Sequence, residues 1–197
     1  YADKGDYNKA LYNYTRSLKI REELSDKRGI GRCFHLIGDV YWNKGDFDTA
    51  LDYFIRSLNI HKAVGDKRGM IFPLFNIGYV YMGKGDFGKA VEHLEKSLVI
   101  QKEIKMKEET EWFDTITLLY LSYKNLQKKY DEQEILNLIS ETENIKFQIN
   151  YSLYELLEDK SYLETAYNQV QEKADNLEPD VAAKFLSYPI PKAIVEE

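Results

Sequence analysis

The sequence has 197 residues, with 27 Lys and Arg against 33 Asp and Glu, for a net charge of -6. This balance excludes sequence-independent nucleic-acid binding, which needs many cations to displace counterions. The single cysteine, Cys33, excludes an intrachain disulfide and a CxxC metal or redox site.

No apolar run approaches the roughly 20 residues that span a bilayer, and the start does not read as a signal peptide. No membrane and no nucleic acid are therefore expected among the partners, and the expected compartment is the cytoplasm. Three of the four prolines are Pro179, Pro189 and Pro191, which predicts a helical body with a broken C-terminal tail.

In chain order, the first signal is a repeat. GDY at Gly5 recurs as GDF at Gly45 and again at Gly85, a period of 40 residues. Around these corners YADKGDYNKALYNYTRSLKI, YWNKGDFDTALDYFIRSLNI and YMGKGDFGKAVEHLEKSLVI align without a gap, and SDKRGI at Ser25 repeats as GDKRGM at Gly65. Each unit reads as two antiparallel helices. Asp6, Asp46 and Asp86 stand where an N-cap carboxylate accepts the first free amides of a helix.

The organisation expected is the end of a first helix plus a complete second helix over 1–24, then full helix pairs over 25–64 and 65–104. A unit of this size cannot bury enough apolar surface alone, so stacking is required. Because Tyr1 falls inside a unit, at least one more helix is expected to precede it in a longer parent protein.

Within the second unit Phe34, Ile37 and Tyr41 form one apolar stripe, and Phe47, Ala50, Leu51, Phe54 and Leu58 form the other. Gly38 and Gly78 lie mid-helix, where glycine costs about 1 kcal/mol relative to alanine; a glycine at both predicts close approach of a neighbouring helix. Residues 83–90, GKGDFGKA, mimic a phosphate-binding loop of the form G-x-x-x-x-G-K-[ST]. The last position is Ala90, which has no hydroxyl for magnesium, and the flanking residues are spaced as helices. Gly88 aligns with Asn8 and Asp48, so this stretch is one instance of the interhelical turn.

Beyond residue 104 the period blurs. Degenerate helix pairs are expected over 105–142 and 143–175, the latter with Leu163 and Ala166 in the aromatic and alanine positions. The stretch 176–197 reads as a capping tail, with Pro179 at a helix start and a Tyr-Pro-Ile-Pro break after it. The acidic runs KEETE from Lys107 and ETE from Glu141 read as solubilising charge.

These residues resemble the tetratricopeptide repeat (TPR). Its signature appears as Phe34, Ile37-Gly38, Tyr41, Gly45, Phe47, Ala50, Phe54 and Ser57-Leu58. It appears again as Leu74, Ile77-Gly78, Tyr81, Gly85, Phe87, Ala90, Leu94 and Ser97-Leu98. The 40-residue period departs from the usual 34 and is similar to the longer repeats of polarity adaptors, kinesin light chains and prokaryotic signalling proteins. The resemblance implies an all-α fold, a right-handed α-solenoid of stacked helix hairpins whose first helices line a concave groove.

On that implied arrangement, at roughly 100° per residue, Arg32, His35, Asp39, Trp42 and Asn43 fall away from the core stripe of the second unit. Their counterparts in the third unit are Phe72, Phe75, Tyr79, Met82 and Gly83, an apolar face on a helix whose other face is already apolar, so something should cover it. Two readings stand: neighbouring helices or the C-terminal tail cover it, or it is a partner-binding floor with Arg32, His35 and Asp39 as polar rim. Pro73 lies in the same helix, within its first two turns, where it is able to bend it.

His35, His61 and His93 are too dispersed for a paired metal site. Cys33 reads as a small buried residue, and a serine-hydrolase elbow is missing. The function implied is a non-catalytic scaffold that binds a peptide or partner domain, with no cofactor and no metal. The alternative is the sensor or regulatory arm of a larger signalling enzyme, in which a covalently linked effector domain is the partner.

Overall fold

A computed structural model describes residues 7–105 and 110–197, and among these every regular element is a helix. Five successive helices have 17 residues each: α1 (Tyr7–Glu23), α2 (Lys27–Asn43), α3 (Phe47–Ala63), α4 (Lys67–Gly83) and α5 (Phe87–Glu103). Six more follow: α6 (Thr110–Asn125), α7 (Glu132–Glu141), α8 (Phe147–Leu157), α9 (Lys160–Asp175), α10 (Pro179–Leu186) and α11 (Pro189–Glu196). Consecutive helices pack on one another as an α-solenoid.

The corners follow from local chemistry. Asp26, Asp46, Asp66 and Asp86 each accept a hydrogen bond from the amide three residues on, which satisfies one of the free donors at a helix start. The residue before the cap must reverse the chain, and Gly45, Gly65 and Gly85 do so in the left-handed region, at φ 79°, 68° and 76°. Lys89 follows its own cap: its amine pairs with Asp86 at 2.8 Å and lies over the Tyr81 ring, so the phosphate-loop look-alike is a helix start. The cap expected at Asp6 and the helix end expected at Tyr1 lie outside the described residues, as do Lys107, Glu108 and Glu109 of the acidic run.

Within each hairpin the mid-helix glycines are contact points. A methyl group on Gly38 would stand 2.6 Å from the Phe54 ring, and one on Gly78 would stand 2.7 Å from Leu94. Close approach is reinforced by Ser57 Oγ donating to the Gly31 carbonyl at 2.8 Å and Ser97 Oγ donating to the Ile71 carbonyl at 3.2 Å, at equivalent places. Helix α4 runs uninterrupted through Pro73 in its second turn.

Past α5 the architecture changes. From Trp112 to Ser122 helix α6 is buried on every side, between α5, α8 and α4. Its hydroxyls are satisfied inside: Thr117 and Ser122 donate to carbonyls one turn back, and Thr115 accepts from Gln101 at 2.8 Å. The expected pairing of α6 with α7 is the lesser contact, because α8 covers more of α6 than the short α7 does.

The tail folds as two short helices, each opened by a proline. Pro179 begins α10, and the expected break is the corner at Tyr188 that starts α11 at Pro189. Together with α9, they return to the start of the array. Ala166, Val170, Phe185, Tyr188 and Ile194 share a core with Tyr7, Ala10 and Val40; the Tyr7 and Tyr188 rings lie 4.9 Å apart. The solenoid thereby closes on itself.

Candidate functional site

Closure leaves a half-open cavity of about 510 Å³. Its inner wall is built by the first helices of two consecutive hairpins, α2 and α4, which contribute His35, Asp39, Trp42, Asn43, Phe72, Phe75, Asn76 and Tyr79. The spacing explains the convergence: residues three and four apart share a helix face, and the 40-residue repeat places the same face of α2 and α4 side by side. The opposite wall comes from α6, α8 and α9, with Asp114, Lys146, Gln148 and Lys173, while Tyr7 and Tyr14 of α1 close one end.

The polar groups of the inner wall are linked. Asn76 Nδ2 donates to Asp39 Oδ1 at 2.8 Å and lies 2.9 Å from His35 Nε2, while His35 Nδ1 stands 3.6 Å from Asp39 Oδ2. A ring that accepts at Nε2 carries its proton on Nδ1, facing Asp39. Asn43 Nδ2 donates to the Asp39 carbonyl at 2.7 Å. Burial pushes the Asp39 carboxyl above its ordinary value, and His35 and Asn76 oppose that only in part. Across the cavity Asp114 has Lys146 at 3.5 Å.

The aromatic groups form a continuous lining. Trp42 packs at 4.6 Å on Tyr79 and at 4.6 Å on Phe47; Phe75 lies 6.1 Å from Tyr79, and Phe72 lies 5.8 Å from His35. Burial holds the Tyr79 phenol well above the usual range.

The residues expected from sequence separate into three places. His35, Asp39, Trp42, Asn43, Phe72, Phe75 and Tyr79 meet in the cavity. Arg32 lies outside it, in a neighbouring cleft of about 620 Å³ beside Arg21, Arg28 and Arg68. Met82 packs with Phe75 and Tyr79 against the core made by α6 and α8. Neighbouring helices thus partly cover the apolar face of α4, while α11 lies against the end of α2 beside Trp42, with Pro189 seated on Gly45. Phe72 keeps 37% of its surface exposed.

Asn76, Asp114, Lys146, Gln148 and Lys173 were not legible as site residues. Asn76 did carry a signal, since it is the single polar amide or charged side chain in the run from Ile71 to Met82. The others stand on helices outside the clear repeat.

The remaining histidines are structural. His61 is buried beneath the second corner, with Nδ1 3.1 Å from Asp66. Burial alone would raise Asp66, but the Gly69 amide, His61 and Arg28 outweigh it and hold the carboxyl below its ordinary value. His93 faces the Lys89 carbonyl on the surface of α5. Cys33 is buried, 3.6 Å from Ser17 Oγ. Among the described residues no group of three or more His, Cys, Asp or Glu side chains is placed to hold a metal ion.

With this geometry in hand, the comparisons are consistent with one another. A model of the tetratricopeptide repeat matches residues 1–63 and 32–103. Among solved structures, the chain is similar to a putative kinesin light chain with nearly identical TPR-like repeats from Podosopora anserina. The TM-score is 0.55 at 17% identity, covering 97% of this chain and 88% of that one. It is also similar to BtubC (BKLC) from P. vanneervenii, with a TM-score of 0.53 at 16% identity, covering 97% of this chain and 74% of that one. No curated protein matches the sequence.

Proposed function

Because the chain belongs to the tetratricopeptide repeat family, whose members generally mediate protein-protein interaction, we propose that it is a non-catalytic scaffold holding a peptide or partner domain against the face built by α2 and α4. The observation that carries this reading is the convergence of Trp42, Phe72, Phe75 and Tyr79 with His35, Asp39 and Asn76 on one concave surface. Aromatic anchors next to a few polar groups are the composition of binding hot spots.

Phe72 is the residue to change, since its exposure lets it be altered without opening the core. Affinity capture with the intact chain, compared with Phe72→Glu, tests the reading. The expected result is a partner retained by the wild type and lost by the variant at unchanged helicity and melting temperature. Equal retention by both would place the partner elsewhere on the molecule.

A further inference from the structure

Two carboxylates line the cavity, and they differ in company. Asp114 has the Lys146 ammonium at 3.5 Å. Asp39 has no Lys or Arg within ion-pair distance among the described residues; its neighbours are the Asn76 amide and the His35 ring, whose Nδ1 stands 3.6 Å from Asp39 Oδ2. A carboxylate withdrawn from bulk water without a countercharge is costly. About a third of the Asp39 side chain, 34%, is nevertheless reachable, and it opens into the cavity.

The atoms around it are acceptors. The side-chain carbonyl oxygens of Asn43 and Asn76 form no hydrogen bond among the described residues, because each amide uses its nitrogen as the donor. The rings of Trp42, Phe72, Phe75 and Tyr79 line the same cavity. Ring faces attract cations, most strongly where water is displaced. The volume of about 510 Å³ suits a small organic group.

We propose that the α2/α4 wall of the cavity is a receptor for an organic cation, an alkylammonium or guanidinium head group that takes Asp39 as counterion and packs against the aromatic lining of the same wall. This deepens the scaffold reading and rests on it, since it names the chemistry presented to the same surface. The head group belongs either to a free small molecule or to a basic side chain of the bound partner.

The test uses the intact chain and the indole resonance of Trp42, assigned by its loss in Trp42→Phe. Choline is titrated against its uncharged carbon isostere dimethylbutanol, and an acetyl-Gly-Arg-Gly-amide peptide is titrated against its citrulline counterpart. The expected result is a saturable shift with each cation at roughly tenfold lower concentration than with its neutral twin. Asp39→Asn, which keeps the acceptor used by Asn76, should raise the cation midpoint by about tenfold.

Tighter binding of the arginine peptide than of choline assigns the cation to a partner chain, and the reverse order assigns it to a small molecule; both support the receptor. Equal response to charged and neutral twins overturns the proposal without any variant, as does a midpoint unmoved by Asp39→Asn. Loss of the charged-over-neutral preference with partner capture retained by the wild type would overturn the cation site and leave the scaffold reading standing.

Discussion

Helices α1 and α3 are the same element at two places in the array, and their surroundings differ. Ala10 and Tyr14 of α1 align with Ala50 and Phe54 of α3. In α3 these side chains meet α2 of the same hairpin, with Phe54 pressed on Gly38. In α1 the equivalent face is covered by α9, α10 and α11, brought back from the far end of the chain. The difference teaches that an apolar helix face dictates that it be covered, but not by what. A local partner is supplied through the repeat, and a distant one through the shape of the closed solenoid.

The comparison is broken most strongly inside the hairpin. Phe54→Ala should cost about 3–5 kcal/mol, measured by denaturant unfolding, whereas Tyr14→Ala at the matching position of α1 should cost less because Tyr14 is only partly buried. If the two costs were equal, α1 would be packed as a regular hairpin member.

Next in size is the closing contact. Tyr188 is buried against Tyr7, and among the described residues its hydroxyl has no hydrogen-bond partner, so Tyr188→Ala should cost about 2–3 kcal/mol. The accompanying rise in hydrogen exchange should be confined to α1 and α9–α11, sparing α3 and α5.

The corners give a smaller and more discriminating effect. Asp66 caps α4 and also holds His61, whereas Asp86 caps α5 with a surface lysine. Asp66→Ala should cost about 1–2 kcal/mol and Asp86→Ala about half as much. The folded carboxyl of Asp66 is held below its unfolded value, so its contribution is present above pH of about 4 and is lost as pH falls through the folded value.

Asp39 has the opposite sign and the smallest effect. Its folded value is raised, so the cost of its charge appears as pH rises through the unfolded value of about 4 toward the folded one. Asp39→Asn should therefore melt slightly above the wild type at neutral pH and match it in acid.

How much of this was legible follows from the same contrast. Helices α2 to α5, the caps of α3 and α5 and the glycine contacts at Gly38 and Gly78 could be read because a local rule was written more than once, 40 residues apart. Helix α6 was expected to pair with α7 by chain order, since a helix buried on all sides has no stripe to indicate that α8 covers more of it. The cover on α1 depends on Tyr188 and Val170, whose contact with Tyr7 has no period to betray it. For the site, the α2 and α4 faces were found from helix geometry, while Lys146 and Lys173 were missed because the fold alone brings them across the cavity. Arg32 shares the α2 face by angle yet lies a turn nearer the helix start, which puts it in the neighbouring cleft.

The most direct measurement is hydrogen exchange of the intact chain, comparing the amides of residues 11–17 in α1 with those of residues 51–57 in α3. A lone helix of this length is marginal in water, so protection of α1 reports its cover. Closure predicts strong protection in both segments, with Tyr188→Ala lowering it in α1 and preserving it in α3. Rapid exchange of α1 in the wild-type chain, or protection there unaffected by Tyr188→Ala, would contradict a solenoid closed by its own C-terminal helices.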